Sequence, residues 1–202
     1  SVDGGEQMTK PVSFSNIRNI TISGRIGSGT TTLALGLSKK LGWKLLEGGA
    51  LFEKIHKELK LSQTMVSGRP DHFDLEYEEK VKSMLKNENN HIIQSHLAGF
   101  DAQGIPGVFK ILVICEDSQG NDKQEIRIDR LINRDKISIE EAKAEVLERE
   151  KQHLAKWQRL YANSDQNWVY WDKKYYDLVT NTYSHNQSET LKIALGKIGY
   201  PA

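Results

Sequence analysis

The most constraining feature of this 202-residue chain is the stretch SGRIGSGTTT at residues 23–32. It nearly matches the phosphate-binding consensus G-x-x-x-x-G-K-[ST], with Gly24 and Gly29 at the required separation and Thr31 in the hydroxyl position. Thr30, however, stands where the consensus has its lysine. A loop of this kind works between a strand and a helix, so the motif predicts the local fold as well as a candidate site.

The residues on either side of the glycine loop supply that context. NITISG at residues 19–24 is short, β-branched and closed by glycine, which is typical of a strand. TTTLALGLSKKLG at residues 30–42 repeats leucine at every fourth position and ends in glycine, which is typical of an amphipathic helix. The glycines let backbone N–H groups turn toward a phosphate, and the helix N-terminus adds about half a positive charge there.

We therefore predict that the loop binds the phosphates of a nucleotide; a Gly/Ser/Thr-rich turn that holds nothing is the alternative. The predicted phosphate-binding residues are Gly24, Arg25, Ile26, Gly27, Ser28, Gly29, Thr30, Thr31 and Thr32. We expect the Thr31 hydroxyl to contact Mg²⁺.

Short apolar runs alternate with longer stretches of helical period along the rest of the chain. The further predicted strands cover residues 44–49, 91–96, 108–116 and 175–181. The run at 108–116 is apolar almost throughout, as expected of a strand covered on both faces. Strands that alternate with helices predict an α/β domain with a parallel sheet. We assign residues 1–18 to a leader or flexible N-terminus and residues 19–200 to one domain.

The composition argues against several classes of partner. The 28 Lys and Arg residues nearly balance the 27 Asp and Glu residues, so no global field attracts nucleic acid or an anionic membrane. No apolar run approaches the roughly 20 residues needed to span a bilayer, and the N-terminal residues lack the apolar core of a secretory signal. We expect a cytoplasmic protein, monomeric or homodimeric, that binds small-molecule nucleotides and neither nucleic acid nor membrane.

The missing lysine raises the question of which cation faces a transferring phosphoryl group. Arg127, Arg130 and Arg134 are spaced three and four apart, so they share one face of a predicted helix, and Arg149 lies on the next charged helix. A helical hairpin at about residues 127–160 suits a lid that closes over bound phosphates. Both helices are also rich in acidic residues, so salt bridges on a solvated face are the alternative explanation.

The segment ITISGRIGSGTTTLALGLSKKLGWKLL resembles the opening of cytidylate kinases, particularly the archaeal type, in which threonine in the lysine position is the norm. The resemblance continues through SHLAGF, RIDRLINRDKISIEEA, EREKQHLAKWQRLY and YDLVTNT, from residue 20 to about residue 198. It implies a P-loop NTPase-like fold, a three-layer α/β/α arrangement with a five-stranded parallel sheet and a helical lid. It also implies transfer of the ATP γ-phosphoryl group to CMP or dCMP with Mg²⁺.

The resemblance also implies roles for individual residues. The lid-side arginines that would act in catalysis are Arg127, Arg130, Arg134 and Arg149. An acceptor-binding region at about residues 49–90, with the turn after the third strand, would place Gly49, Asp74, Leu97 and Gly99 beside the acceptor. The acceptor phosphate is already charged at neutral pH, so we assign Asp74 to acceptor recognition rather than to proton abstraction.

The chain departs from the family pattern near the acceptor. His96 stands where the family usually has an arginine, and Glu53 where an arginine is often found. A half-protonated histidine is a weaker anion clamp than a guanidinium, so Arg69 or Lys54 is the candidate substitute. Two alternatives therefore stay open: a kinase of the same fold for another small acceptor, or a non-catalytic nucleotide-binding regulatory protein.

Overall fold

The computed structural model describes residues 10–58 and 70–202, apart from the side chains of Ile55, His56 and Glu58. Within these residues, five parallel strands form one sheet in the order β2-β3-β1-β4-β5. The strands are β1 (Asn19–Gly24), β2 (Lys44–Glu47), β3 (His91–Gln94), β4 (Val108–Ile114) and β5 (Leu178–Asn181). Because β1 lies between β3 and β4, the glycine loop begins at the centre of the sheet edge.

Helices cover both faces of this sheet. They are α1 (Thr30–Leu41), α2 (Gly48–Glu58), α3 (Asp71–Asn87), α4 (Ala98–Asp101), α5 (Gln124–Asp135), α6 (Ile139–Lys143), α7 (Glu150–Tyr161) and α8 (Gln187–Ile198). Successive residues of a strand face opposite sides. Ile92 of β3 accordingly packs in the core that contains Leu37 of α1, and Ile93 in the core that contains Val81 of α3. The predicted three-layer α/β/α fold with five parallel strands is confirmed.

Residues that precede β1 also pack on the core. Val12, Phe14 and Ile17 lie against the apolar cluster beneath α1 and α8. The backbone N–H of Val12 donates to the carbonyl oxygen of Leu41 at 2.9 Å, and its carbonyl oxygen accepts from the indole N–H of Trp43 at 2.7 Å. The described part of the segment that we assigned to the leader is therefore anchored to the domain.

The predicted lid is a hairpin of α5 and the α6–α7 segment. Lys136 ends α5 in the left-handed conformation, with φ of 55°, and the Ser138 side chain caps α6 by accepting from the N–H of Glu141 at 3.1 Å. Between α6 and α7, a π-helical turn spans Ala144–Arg149. The sequence predicts a charged helix that carries Arg149 here, and no Gly or Pro marks the π-helical turn.

The predicted strands extend beyond the observed ones at the carboxyl edge of the sheet. Residues 48–49 begin α2 instead of continuing β2, and residues 95–96 lead toward α4 instead of continuing β3. Ligands of open α/β sheets bind beyond the carboxyl ends of the strands. These residues therefore form the rim of a candidate site. None of the helices in the described residues is long and apolar enough to cross a bilayer.

Candidate active site

The glycine loop between β1 and α1 follows a path that depends on its glycines. Gly27 and Gly29 have φ of 78° and 109°, in the left-handed region that other residues rarely adopt. A Cβ atom on Gly24 would lie 2.6 Å from the carbonyl oxygen of Val113 in the neighbouring strand β4. The loop therefore packs directly on the sheet edge, in the strand-to-helix setting that the motif predicts.

Arg130 of α5 binds the carbonyl side of this loop. Its Nη1 donates to the carbonyl oxygens of Gly27 at 3.3 Å and Ser28 at 3.0 Å, and the Thr182 hydroxyl donates to the Ser28 carbonyl oxygen at 2.6 Å. A trans peptide directs its C=O and the following N–H in opposite directions. The N–H of Gly29 therefore points away from Arg130.

Arg127 is fully buried on the same side of the loop. Its guanidinium donates to the two carboxylate oxygens of Asp122 at 3.0 and 2.7 Å, and to the carbonyl oxygen of Ile26 at 2.8 Å. It also approaches the Glu150 carboxylate at 3.4 Å. By the same peptide geometry, the Ile26 contact directs the N–H of Gly27 away from the guanidinium. In this conformation Arg127 holds the loop in shape.

Glu150 of α7 joins the lid hairpin to the loop. Its carboxylate accepts from the Arg25 guanidinium at 2.6 and 3.0 Å and from the backbone N–H of Ile26 at 3.3 Å. The Arg25 guanidinium also lies 4.2 Å from the centre of the Trp171 ring. Arg25, predicted to contact phosphate, is thus engaged with the lid, a contact that helix periodicity does not predict.

Gln94, the last residue of β3, contacts the opposite side of the loop. Its amide nitrogen donates to the hydroxyl oxygens of Thr30 at 2.9 Å and Thr31 at 3.0 Å. The residue in the lysine position and the predicted Mg²⁺ ligand are therefore held by one side chain. Gln94 belongs to no sequence motif, and its place at the end of a strand next to β1 is the signal that identifies it.

A cavity of about 460 Å³ opens beside these hydroxyl groups. Gly24, Thr30, Thr31 and Gln94 form part of its wall. The wall also includes Glu47, Gly48, Gly49, Phe52, Asp74, Tyr77, Glu78, Ser95, His96, Leu97, Arg134, Arg149, His153 and Trp157. Residues predicted to bind the donor and residues predicted to bind the acceptor therefore share one cavity.

Two of the four predicted lid arginines, Arg134 and Arg149, line this cavity, whereas Arg127 and Arg130 do not. The Arg134 and Arg149 side chains are 53% and 46% exposed, and their partners are Asp135 at 2.8 Å and Glu145 at 3.1 Å. Exposed pairs of this kind contribute about 1 kcal/mol or less, so they can open when a phosphate arrives. The four arginines thus divide into two anchored behind the loop and two in the cavity wall.

His96 lies in the cavity wall as a neutral side chain. Burial lowers the pKa of its imidazole, and the hydrogen bond to the carbonyl oxygen of Gly24, at 2.9 Å from Nδ1, opposes this shift only in part. A carbonyl oxygen accepts, so Nδ1 carries the proton and Nε2 remains an acceptor. His96 therefore cannot clamp a phosphate as a cation at neutral pH, and the nearby Arg149 guanidinium disfavours its protonation further.

Asp74 and Lys156 form a buried ion pair across α3 and α7. The Lys156 ammonium lies 2.7 Å from Asp74 Oδ2, and the two side chains are 8% and 5% exposed. Asp74 lines the cavity, so this pair attaches the acceptor-side helix to the lid-side helix. Nothing in the sequence around Lys156 indicates that it is paired or buried.

A second acidic group, Glu78, lines the cavity one helical turn beyond Asp74. It is buried, and its carboxyl group lies close enough to that of Asp101 of α4 for the two charges to interact. Burial, reinforced by the neighbouring Asp101 charge, raises the pKa of Glu78 well above its usual range. Its surroundings therefore favour the protonated form of this carboxyl group.

The remaining predicted acceptor residues occupy different settings. Gly49 and Leu97 line the cavity, whereas Gly99 is buried and its N–H donates to the Ser23 hydroxyl at 3.1 Å. The Tyr176 ring occupies the space that a Cβ atom on Gly99 would need. Arg69 lies outside the described residues.

The strand order and the glycine loop between β1 and α1 define a P-loop α/β fold. Shikimate kinase from Acinetobacter baumannii has this fold: its structure matches 90% of this chain and 93% of its own with a TM-score of 0.56, at 14% identity. The sequence model of the cytidylate kinase-like family matches residues 19–184. The chain belongs to that family, and it is a nucleoside monophosphate kinase.

Two curated relatives agree with this assignment. The cytidylate kinase of Methanosarcina acetivorans is 31% identical over 86% of this chain and 92% of its own length. The cytidylate kinase of Thermococcus kodakarensis is 34% identical over 81% of this chain and 78% of its own length. The family predicted from the glycine loop and the YDLVTNT segment is therefore confirmed.

Proposed function

We propose that this protein transfers the γ-phosphoryl group of ATP to CMP or dCMP. Membership of the cytidylate kinase-like family carries the proposal, and the cavity shared by the loop hydroxyls and the predicted acceptor residues agrees with it. Phosphoryl transfer is catalysed mainly by in-line positioning and charge neutralisation. A shared cavity allows donor and acceptor phosphates to meet without a covalent enzyme intermediate.

The four lid-side arginines act in two ways in this proposal. Arg127 and Arg130 are positioning residues, because they bind the carbonyl side of the loop and leave the amides of Gly27 and Gly29 for phosphate oxygens. Arg134 and Arg149 face the cavity and neutralise the charge that spreads over the transferring group. Together they replace the lysine that the loop lacks.

The acceptor lies against Gly49, Asp74 and Leu97 in this proposal. Arg149 supplies the positive charge that neutral His96 cannot, since the two side chains are close enough for Arg149 to lower the histidine's pKa. The acceptor phosphate is itself a charged nucleophile, so no side chain has to remove a proton. Arg69 remains a predicted acceptor contact.

Mg²⁺ neutralises the β- and γ-phosphates of ATP in kinases of this class. Within the described residues, no group of three or more His, Cys, Asp or Glu side chains could hold a metal ion by itself. The Thr31 hydroxyl and the Glu47 carboxylate line the same cavity and are oxygen donors of the kind that Mg²⁺ prefers. The residues present therefore fit a Mg²⁺ ion that arrives with its nucleotide and keeps phosphate and water ligands.

The acceptor assignment is tested by steady-state ADP production with MgATP and a panel of CMP, dCMP, UMP, AMP and GMP. We expect CMP or dCMP to give a kcat/KM at least about tenfold above the other monophosphates, which corresponds to about 1.4 kcal/mol of discrimination. The rate without acceptor is the control. Stimulation by a different monophosphate would contradict the assignment, and ATP binding without stimulation by any of them would contradict catalysis.

A further inference from the structure

The residues beside the Thr31 hydroxyl, the predicted Mg²⁺ ligand, differ from the usual arrangement in P-loop NTPases. In P-loop NTPases, Mg²⁺ is held by the loop Ser or Thr together with an aspartate outside the loop. Here β3, the strand beside β1, ends in Gln94, whose neutral amide contacts the hydroxyl groups of Thr30 and Thr31. An amide orients these hydroxyl groups but adds no negative charge.

The nearest carboxylate in the sheet belongs to the next strand. Glu47 is the last residue of β2, and it pairs directly with Gln94 in the parallel register. Adjacent strands are about 4.8 Å apart, so this carboxylate begins one strand further from the loop than Gln94. Glu47, Gln94 and Thr31 nevertheless line the same cavity.

The other carboxylates among the described cavity-lining residues are engaged elsewhere. Asp74 pairs with Lys156 at 2.7 Å. Glu78 is buried close to the Asp101 carboxyl group, and both the burial and that neighbouring charge disfavour its charged form. Glu47 remains half-exposed at the sheet edge and close enough to Arg134 to interact with its charge.

We propose that Glu47 supplies the carboxylate of the donor-side Mg²⁺ site, with Gln94 as the positioning residue that holds the Thr31 hydroxyl toward it. This inference rests on the proposed kinase function. A hydroxyl oxygen has two lone pairs, so Thr31 can accept from Gln94 and still contact the cation. Mg²⁺ sites of kinases use one or two carboxylates plus phosphates and water, which this set supplies.

The competing role for Glu47 is an ion pair with the lid. Its charge interaction with Arg134 means that Glu47 could instead hold the lid closed over the cavity without contacting the metal. The two roles differ in one measurable respect. A metal ligand affects nucleotide binding only when a divalent cation is present, whereas a lid contact affects it also in the presence of EDTA.

The test measures Mn²⁺ binding to the protein–ADP complex by electron paramagnetic resonance, and ADP binding in EDTA by calorimetry. We expect Glu47→Gln to weaken Mn²⁺ binding by about tenfold or more, the usual cost of losing a metal-site group, with ADP affinity in EDTA unchanged. Gln94→Glu places a carboxylate beside Thr31, and we expect it to strengthen Mn²⁺ binding. Glu53→Gln, on the exposed face of α2, is the matched control and should leave both values unchanged.

Two outcomes would overturn the inference about Glu47, and a third would overturn the proposed function. Mn²⁺ binding within twofold of wild type in Glu47→Gln overturns the inference, as does a change in ADP affinity that is the same with EDTA and with Mn²⁺. If wild-type protein binds no ADP under either condition, the proposed function itself fails. Thermal unfolding of each variant near the wild-type temperature verifies that these comparisons are made on folded protein.

Discussion

Replacing Arg130 with alanine is expected to lower kcat/KM for ATP by about 100-fold, the scale found when one preorganised donor is removed from an active site. The expected cause is loss of loop shape, because Arg130 binds the carbonyl oxygens of Gly27 and Ser28 together with the hydroxyl of Thr182. Without these contacts the peptides of the loop can rotate, and their N–H groups no longer converge on the phosphates.

ADP affinity separates this role from direct contact with the transferring group. ADP lacks the γ-phosphoryl group, so a residue that acts only on that group leaves ADP binding unchanged. We expect Arg130→Ala to weaken ADP binding by at least about tenfold, or 1.4 kcal/mol. Arg130→Lys, which keeps the charge but cannot span the carbonyl oxygens, should behave like alanine. Wild-type ADP affinity in either variant would contradict the positioning role.

Replacing Arg127 with methionine is expected to lower the free energy of unfolding by about 3–5 kcal/mol, because breaking a buried ion pair leaves uncompensated charge. Arg127 is fully buried, and its removal leaves the Asp122 carboxylate without its bidentate partner and Glu150 with one fewer cation. Methionine retains most of the apolar volume, so the loss reports charge rather than a cavity. Urea unfolding of the two proteins measures the difference.

Two further variants control for this interpretation. Arg159→Met removes a pair with Asp71 in which the Arg159 and Asp71 side chains are 53% and 42% exposed, and it should cost far less stability than Arg127→Met. Without Arg127, the carboxylates of Asp122 and Glu150 share only the Arg25 guanidinium. Adding Glu150→Gln to Arg127→Met balances the remaining charges and should recover part of the lost stability. Equal losses in Arg127→Met and Arg159→Met would show that the buried network is not a stabilising element.

The fold and the donor loop were predictable because their signals are local in the sequence. The spacing of Gly24 and Gly29, the β-branched run before them and the leucine period after them all lie within 24 residues, 19–42, and together specify a strand, a loop and a helix. The apolar run at residues 108–116 indicated a strand covered on both faces for a similarly local reason. In the folded domain, each of these segments adopts the kind of secondary structure that its own sequence favours.

The different contacts of the three α5 arginines could not be predicted from local sequence signals. A spacing of three and four places Arg127, Arg130 and Arg134 on one helix face, but it does not say what that face meets. In the structure α5 crosses behind the loop, so its first two arginines bind carbonyl oxygens and only Arg134 reaches the cavity. Helix placement depends on long-range packing that periodicity does not encode.

Gln94 and Glu47 were missed for a related reason. Neither belongs to a recognisable motif, and each gains significance only from strand order and register. The carboxyl ends of β2 and β3 bring them beside a loop that is at least fifteen residues away in the chain. The π-helical turn before Glu150 likewise contains no Gly or Pro that would indicate it in the sequence.

The central claim is that main-chain amides of the glycine loop bind the polyphosphate without a lysine. Titration of ¹⁵N-labelled protein with ATP and Mg²⁺, without acceptor, tests this directly by amide chemical shifts. The account predicts that the largest changes fall on the amides of Gly27, Gly29, Thr30 and Thr31. Saturable binding that leaves these amides unshifted, or no binding at millimolar ATP, would contradict it.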